Sequence, residues 1–584
     1  MRRMMMNWFG NQMDGLRLHL AHPDALISLS ILGLINGLLA GGAIVAFRVV
    51  VEGGQGSFLP DSMPENYEAL PLWARFALPV AGGLAVGWIF RWWAGGLYVL
   101  GVPRLLERMA YHQGYLTLRE FILQFIGAAI AIISGHSVGR EGPHVFLGAG
   151  AGSLLGQYLA LPNNSIRTMV GCGAAAGIAA SFNTPLAGVI FSMEVIMMEY
   201  TLASFTPVIL AAVSANAVSI AVFGSEPAFA VPEMHMGSLL ELPLLVVLGV
   251  VAGSVSAALN HSLQQVARWG SHIPFWWRTT LAGVFVGLCG MLVPEVMGIG
   301  YDTVNLALAG EIGLGMLFSL LLFKVLATAA SLGMGVPGGT IGPALFIGAT
   351  LGSLLGLLAG QLFPGLEIDV GFYALLAMGA TMGASLQAPL AALTAMMELT
   401  YSPQIIMPGM LVIVIAGLTA SELFGKESLF VAVLKANGMD YNANPVMQAL
   451  RRAGVASVMQ SRFKRLERHI GRAKAEQLLA AEPEWLLIDE EAAPRVMMPA
   501  VDLARHLQDS DREEGGVDEI DLMKIPAQRL QVAPIHLQAT LQEAREALEK
   551  SGAEALYVER MTAPGIRRIY GVLTRDAIAS AYRY

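Results

Sequence analysis

The sequence predicts an all-α polytopic membrane protein built from two internal repeats of broken helices, followed by a soluble α/β domain. Composition is the first reason: of 584 residues 55% are hydrophobic and only 14% charged, with a mean hydropathy of +0.58, whereas a soluble domain carries about 25% charge. The second is how the charge is distributed. Residues 441–584 hold 41 of the 80 charged side chains, so a nearly uncharged membrane part comes first and a water-facing part follows. The third is a self-similarity at an offset of 200 residues, the mark of a duplicated architecture.

Residues 1–24 are too polar for a signal peptide and read as an amphipathic or interfacial segment. Ala25–Phe47 is uncharged over 23 residues, long enough to span a bilayer with tilt. Further apolar segments lie near 74–90, 121–134, 142–166, 168–193, 203–223 and 244–259. The second half adds segments near 279–293, 314–332, 342–363, 370–397 and 404–421. Several are interrupted by Gly and Pro, which a membrane tolerates only where the segment is buried in protein or lines a wet cavity. That pattern points to a transporter or channel, with repeat halves of about 25–225 and 240–435 in a membrane domain of 25–440.

The repeat is specific. Gly142-Pro143-His144-Val145-Phe146-Leu147-Gly148-Ala149 answers Gly342-Pro343-Ala344-Leu345-Phe346-Ile347-Gly348-Ala349, and Gly152–Gly156 answers Gly352–Gly356. Asn183-Thr184-Pro185-Leu186-Ala187 answers Gln387-Ala388-Pro389-Leu390-Ala391, and in each copy a glutamate (Glu194, Glu398) follows nine residues after the proline. Paired Gly/Pro breaks at matching places mark a binding site between repeats.

One break carries charge. In Gly135-His136-Ser137-Val138-Gly139-Arg140-Glu141-Gly142-Pro143, an Arg–Glu pair sits in an otherwise apolar region and a proline suits the first turn of the next helix. Free N–H groups and the positive dipole end make such a terminus an anion site, and a carboxylate at membrane depth is a functional candidate. His136 and His144 flank it and either bond locally or tune proton access. Lys324, inside the run Leu314–Leu332, snorkels or lines a vestibule. Cys172 and Cys289 read as buried free thiols. No basic stripe points to nucleic acid, no His-Glu-x-x-His to a membrane metalloenzyme, and no carboxylate cluster to a CBS-gated cation transporter or any metal site.

These motifs resemble the CLC family of chloride channels and chloride/proton exchangers over residues 25–435. Gly139-Arg140-Glu141-Gly142-Pro143 matches a family signature in full. Val99-Leu100-Gly101-Val102-Pro103 stands where the family has Gly-Ser-Gly-Ile-Pro, and Gly339-Thr340-Ile341-Gly342-Pro343 where it has Gly-x-Phe-x-Pro. The resemblance implies an inverted repeat, a homodimer in lipid, and one pathway per subunit for chloride or another small monovalent anion. Glu141 is then the gate, and the anion is held around Leu100, Gly101, Arg140, Gly142, Thr340, Ile341, Gly342 and Phe430. Two departures stand out: Leu100 and Phe430 lack the hydroxyls the family often offers the anion, and Val195 replaces an inner glutamate of exchangers. Glu194 and His136 are the remaining candidate relays. Val195 favours a voltage- or pH-gated chloride channel with no required cofactor, and a chloride/proton antiporter is the alternative. A prokaryotic inner membrane with both termini cytoplasmic follows from the same resemblance.

From residue 455 helices alternate with short strands, resembling a CBS pair with copies at 455–507 and 522–584 and a solvated acidic linker at 509–521. The family's Thr/Ser-x-x-Asp nucleotide pattern is incomplete: Thr574-Arg575-Asp576 is one residue short and Pro499 replaces the hydroxyl residue of the first copy. Thr574 and Asp576 therefore leave an adenine nucleotide as a weak expectation beside a structural role.

Overall fold

The computed structural model describes residues 17–21, 25–95, 100–225, 229, 234, 236–400, 403–436, 450–451, 453–490, 493–510, 519–563 and 566–581. Val99, most of the N-terminal segment and most of the acidic linker lie outside these. The chain divides into two compact units, Leu26–Leu159 with Ile166–Tyr441, and Asn442–Tyr584 with Met1–Ala25 and Ala160–Ser165.

The membrane unit is helical throughout. Its first half runs α1 (Leu26–Phe58), α2 (Leu72–Trp93), α3 (Val102–Tyr111), α4 (Leu118–Ile133), α5 (Glu141–Tyr158), α6 (Asn163–Phe182), α7 (Pro185–Phe191) and α8 (Leu202–Phe223). The second half repeats the order: α9 (Leu242–Gly270), α10 (Phe275–Leu292), α11 (Tyr301–Leu308), α12 (Leu314–Gly333), α13 (Ile341–Leu362), α14 (Val370–Leu386), α15 (Pro389–Thr400) and α16 (Ile406–Leu418), with α17 (Leu429–Ala436) added. Eight of the described helices are long and apolar enough to cross a membrane.

The breaks have local causes. The uncharged run 168–193 is two helices, because Asn183 takes a left-handed φ of 59° and Pro185 opens α7. The run 370–397 divides likewise at Gln387, φ 56°, before Pro389. Thr117 and Glu120 close a capping box that starts α4. Small residues set the packing: Gly83 and Gly283 on α2 and α10 each face the other helix's backbone with no room for a Cβ, the close approach that holds helices together in lipid.

The two halves are inverted. The N-terminal ends of α5 and α13 meet head to head, and Gly139 and Gly339 pair as an antiparallel bridge with N–H···O distances of 2.8 and 2.7 Å. The same symmetry governs α7 and α15. Glu194 accepts from Leu390 N (3.2 Å) and Ala391 N (2.8 Å), and Glu398 accepts from Leu186 N (2.9 Å) and Ala187 N (2.7 Å). Each half thus supplies the carboxylate that satisfies the other's free helix-end N–H groups.

The second unit is α/β, built from two βαββα modules. The first holds β1 (Phe463–Glu467), a helix Arg472–Leu479, β3 (Trp485–Glu490), β4 (Ala493–Pro499) and a helix Ala500–Ser510, with the short β2 (His469–Gly471) after β1. After β5 (Glu519–Asp521), the second holds β6 (Leu530–His536), a helix Leu541–Ser551, β7 (Ala555–Ala563), β8 (Ile566–Thr574) and a helix Arg575–Ser580. One six-stranded sheet, β1-β3-β4-β6-β7-β8, runs through both modules, with β1/β3 and β6/β7 parallel. Each module has its own apolar core, centred on Leu486, Ile488 and Leu503 in one and on Leu541, Leu556 and Leu573 in the other.

One expectation needs correction here. The acidic stretch 509–521 is not simply a solvated loop. Its start continues the helix to Ser510, and Glu519–Asp521 pairs antiparallel with β2 because Arg468 grips Asp521 with two bonds of 3.0 Å. The described part of the N-terminal segment, residues 17–21, groups with residues 160–165, which include the start of α6, in the second unit, where Ser165 Oγ donates to Leu20 O at 2.7 Å.

The Arg468 guanidinium holds the Asp521 carboxyl at about 2, below its ordinary 3.8. A depressed carboxyl stabilises the fold above its unfolded value, and that contribution is lost as pH falls through the folded one. Acid should therefore loosen the β2–β5 pairing between about pH 4 and 2. Asp521→Asn should lower the melting temperature at neutral pH and flatten its dependence across that window, followed by circular dichroism.

Candidate anion site and gate

The site forms where α5 and α13 approach each other. A Cβ on Gly142 would lie 2.6 Å from Gly339 Cα, and one on Gly339 would lie 2.5 Å from Gly142 N. Only glycine lets the two helix ends come this close. Both macrodipoles present their positive ends at this junction, and the Gly342 N–H of α13 is directed at the Glu141 carboxylate.

Glu141 lies at this junction. Its carboxylate is fully buried, one oxygen accepting from Gly342 N at 3.0 Å and the other from the Tyr301 hydroxyl. Both donors are neutral and both belong to the second half of the repeat. The ion partner of Arg140 is instead Glu52, at 3.3 Å, and its guanidinium lies 5.0 Å from the centre of the Tyr301 ring. A salt bridge does not account for Glu141. The carboxylate sits as a tethered anion on a helix terminus.

Beside it is a cavity of about 70 Å³ lined by Leu100, Val102, Gly142, Thr340, Ile341 and Phe430, among others. Gly101 caps α3 with a left-handed φ of 75°, which turns the chain so that a third helix N-terminus borders the cavity. Thr340 precedes α13 without capping it through its side chain. Leu100 and Phe430 contribute only hydrocarbon, which leaves backbone N–H groups, with Thr340 and Arg278 among the polar lining residues, to face an anion. Arg140 differs from expectation. It does not line the cavity, because Glu52 and the Tyr301 ring draw its side chain away.

The proton-relay candidates fall elsewhere. Val195 is buried, 5% exposed, and apolar. Both oxygens of Glu194 are committed to the α15 N-terminus. His136 is fully buried in the turn after α4, beside the Pro79 carbonyl. His144 bonds Ser181 at 2.9 Å and meets Phe47 edge-on, the local role. Lys324 neither snorkels nor lines the cavity. Its ammonium donates to the carbonyls of Val296, Gly298 and Ile299, each at 3.1 Å. Cys172 and Cys289 are free and buried. In the soluble unit the Thr574 hydroxyl accepts from Ala577 N as a helix cap, and Asp576 is exposed.

Sequence reasoning passed over Tyr301. It lies 160 residues from Glu141 outside every signature, and the one available cue was the Gly-rich turn Gly298-Ile299-Gly300 before it.

The model of the voltage gated chloride channel family matches residues 82–421. The chain belongs to that family, the CLC proteins. A ClcB-like protein of Ralstonia nicotianae that carries a chloride-channel name is 34% identical, over 70% of this chain and 97% of its own. A protein of Citrobacter koseri named the H(+)/Cl(−) exchange transporter ClcA is 27% identical, over 70% of this chain and 88% of its own. Among solved structures, a slow cyanobacterial Cl−/H+ antiporter superposes with a TM-score of 0.62 at 23% identity, covering 71% of this chain and 98% of its own. A eukaryotic CLC transporter gives 0.61 at 18% identity and covers 95% of this chain and 99% of its own, so the common fold extends into the soluble unit. This CLC protein is thus a membrane protein of a family of transporters and channels, not of enzymes.

The Gly142–Gly339 contact yields a direct test. Gly142→Ala must push the two helix ends apart and should lower stability by about 1–3 kcal/mol while reducing chloride flux from liposomes. Gly42→Ala, where a Cβ meets nothing within 4 Å, should leave both unchanged.

Proposed function

We propose that this protein exchanges chloride for protons, with Glu141 as the group on which anion and proton compete. The observation that carries the reading is the Glu141 carboxylate lying at the α13 N-terminus, on the Gly342 N–H, beside the cavity. An anion entering from the cavity needs the same N–H groups, so carboxylate and chloride exclude each other. Protonation removes the negative charge, weakens the hold of the helix ends, and frees the site. Release of the proton on the other side restores the carboxylate and expels the anion. Relatives named as exchangers support the same reading.

Chloride is the substrate this reading assigns, held by backbone N–H groups between apolar side chains. A homodimer in a prokaryotic inner membrane, with the soluble unit cytoplasmic, completes the proposal. With Thr574 spent as a cap, the soluble pair acts first as a structural module, and an ATP-induced rise in its melting temperature would instead assign it a nucleotide.

A gated channel is the second reading, favoured by one feature. Val195 carries no proton and Glu194 is engaged, so inward protons need water as their carrier. Purified protein in liposomes under a fixed chloride gradient and a varied pH gradient separates the two. A reversal potential that moves with pH establishes exchange, and one that stays at the chloride potential establishes a channel. Glu141→Ala should abolish proton movement and leave a passive chloride flux that no longer varies with pH.

A further inference from the structure

We propose that Tyr301 is the latch of the gate: its hydroxyl holds the ionised Glu141 carboxylate in the anion's place, and a clamp built on Lys324 fixes that hydroxyl where the latch requires it. The inference rests on Glu141 being the gate and names the residue that sets how readily it opens.

The geometry has three parts. First, the Glu141 oxygens are divided between two donors, Gly342 N at 3.0 Å and the Tyr301 hydroxyl. The backbone N–H is available to any anion, whereas the phenol adds a donor specific to the carboxylate pose. Second, the Tyr301 ring cannot turn away. It is buried edge-on to Phe229, with centroids 4.8 Å apart, and under the Arg140 guanidinium. Third, the turn that delivers it is rigid. Lys324 gathers the Val296, Gly298 and Ile299 carbonyls at 3.1 Å each and sits 4.4 Å from the Phe346 ring centre. Gly298 N donates to Gly135 O at 3.1 Å and Tyr301 N to Glu65 at 2.9 Å. Gly300, φ 81°, passes so close to Phe346 that a Cβ would meet the ring at 2.7 Å.

A buried cation held by three carbonyls is costly unless its geometry matters, and here it fixes the backbone two residues before the latch. Arg140, Glu52, Glu65, Asp302 and Lys324 are the charged groups arrayed around the pair. The phenol is the one among these neighbours that touches the gate itself and keeps no net charge.

A hydroxyl donor favours the ionised carboxylate over the protonated one. Removing it weakens the hold on the carboxylate, so the gate releases the site sooner. Tyr301→Phe keeps the ring and deletes only the donor. In chloride-flux assays on liposomes the pH midpoint of activation should rise by about one unit, the size expected of a charge-assisted hydrogen bond. Glu141→Gln should show no midpoint, and Tyr301→Phe added to it should change nothing further. An unchanged midpoint in Tyr301→Phe overturns the latch. So does an equal change in flux on the Glu141→Gln background, which would mean the substitution acts through the fold. A Glu141→Gln protein that keeps the wild-type pH dependence instead overturns the gate reading beneath it. If Tyr301→Phe does not fold, wild-type protein serves. The chloride-induced infrared difference spectrum should show a tyrosine C–O stretch shift that vanishes in Glu141→Gln. No such shift, or one that persists there, rejects the proposal.

Discussion

The head-to-head approach of α5 and α13 is the contact on which the rest of this protein depends. Two positive helix ends facing each other inside an apolar unit repel, and their N–H groups lack partners. The Gly139–Gly339 bridge satisfies one donor from each side. Something negative must satisfy the rest, and the chain supplies Glu141. The electrostatic need that the Glu141 carboxylate meets at this contact is the same need that makes the junction a candidate anion site. Glu141, the proposed gate, is therefore also a piece of the fold.

The inverted repeat is how one chain produces that approach. Duplicated helix breaks in antiparallel halves bring like ends together, whereas a parallel repeat would stack them along one direction. The exchanged carboxylates of Glu194 and Glu398 show the same logic away from the pathway. There both oxygens of each carboxylate are taken up by the opposite half's helix end. At Glu141 a cavity lies beside the carboxylate, which is what the proposed competition with an anion requires.

Symmetry also explains where the two halves diverge. The first half provides the gate glutamate, and the second provides Ile341 at the matching place and the donors that hold the gate. Gln124 and Lys324 occupy matching positions on α4 and α12, and only the lysine binds a turn. The difference between the halves lies in such unmatched residues.

Much of this was legible in the sequence. Charge distribution separated the membrane and soluble parts, because lipid excludes charge and water does not. The offset of 200 residues exposed the duplication, and Gly-Arg-Glu-Gly-Pro marked the carboxylate that lies at the junction of α5 and α13. What the sequence could not show was which groups meet across the duplication. Tyr301 reaches Glu141 only when α11 folds against α5, Arg140 turns to Glu52 for an ion partner 88 residues away, and Glu194 is taken up by a helix end in the other half. Periodicity and local motifs fix which stretches are helices and where they break, since those depend on near neighbours along the chain. Partners in the site are set by three-dimensional packing between halves, and only the tertiary structure decided them.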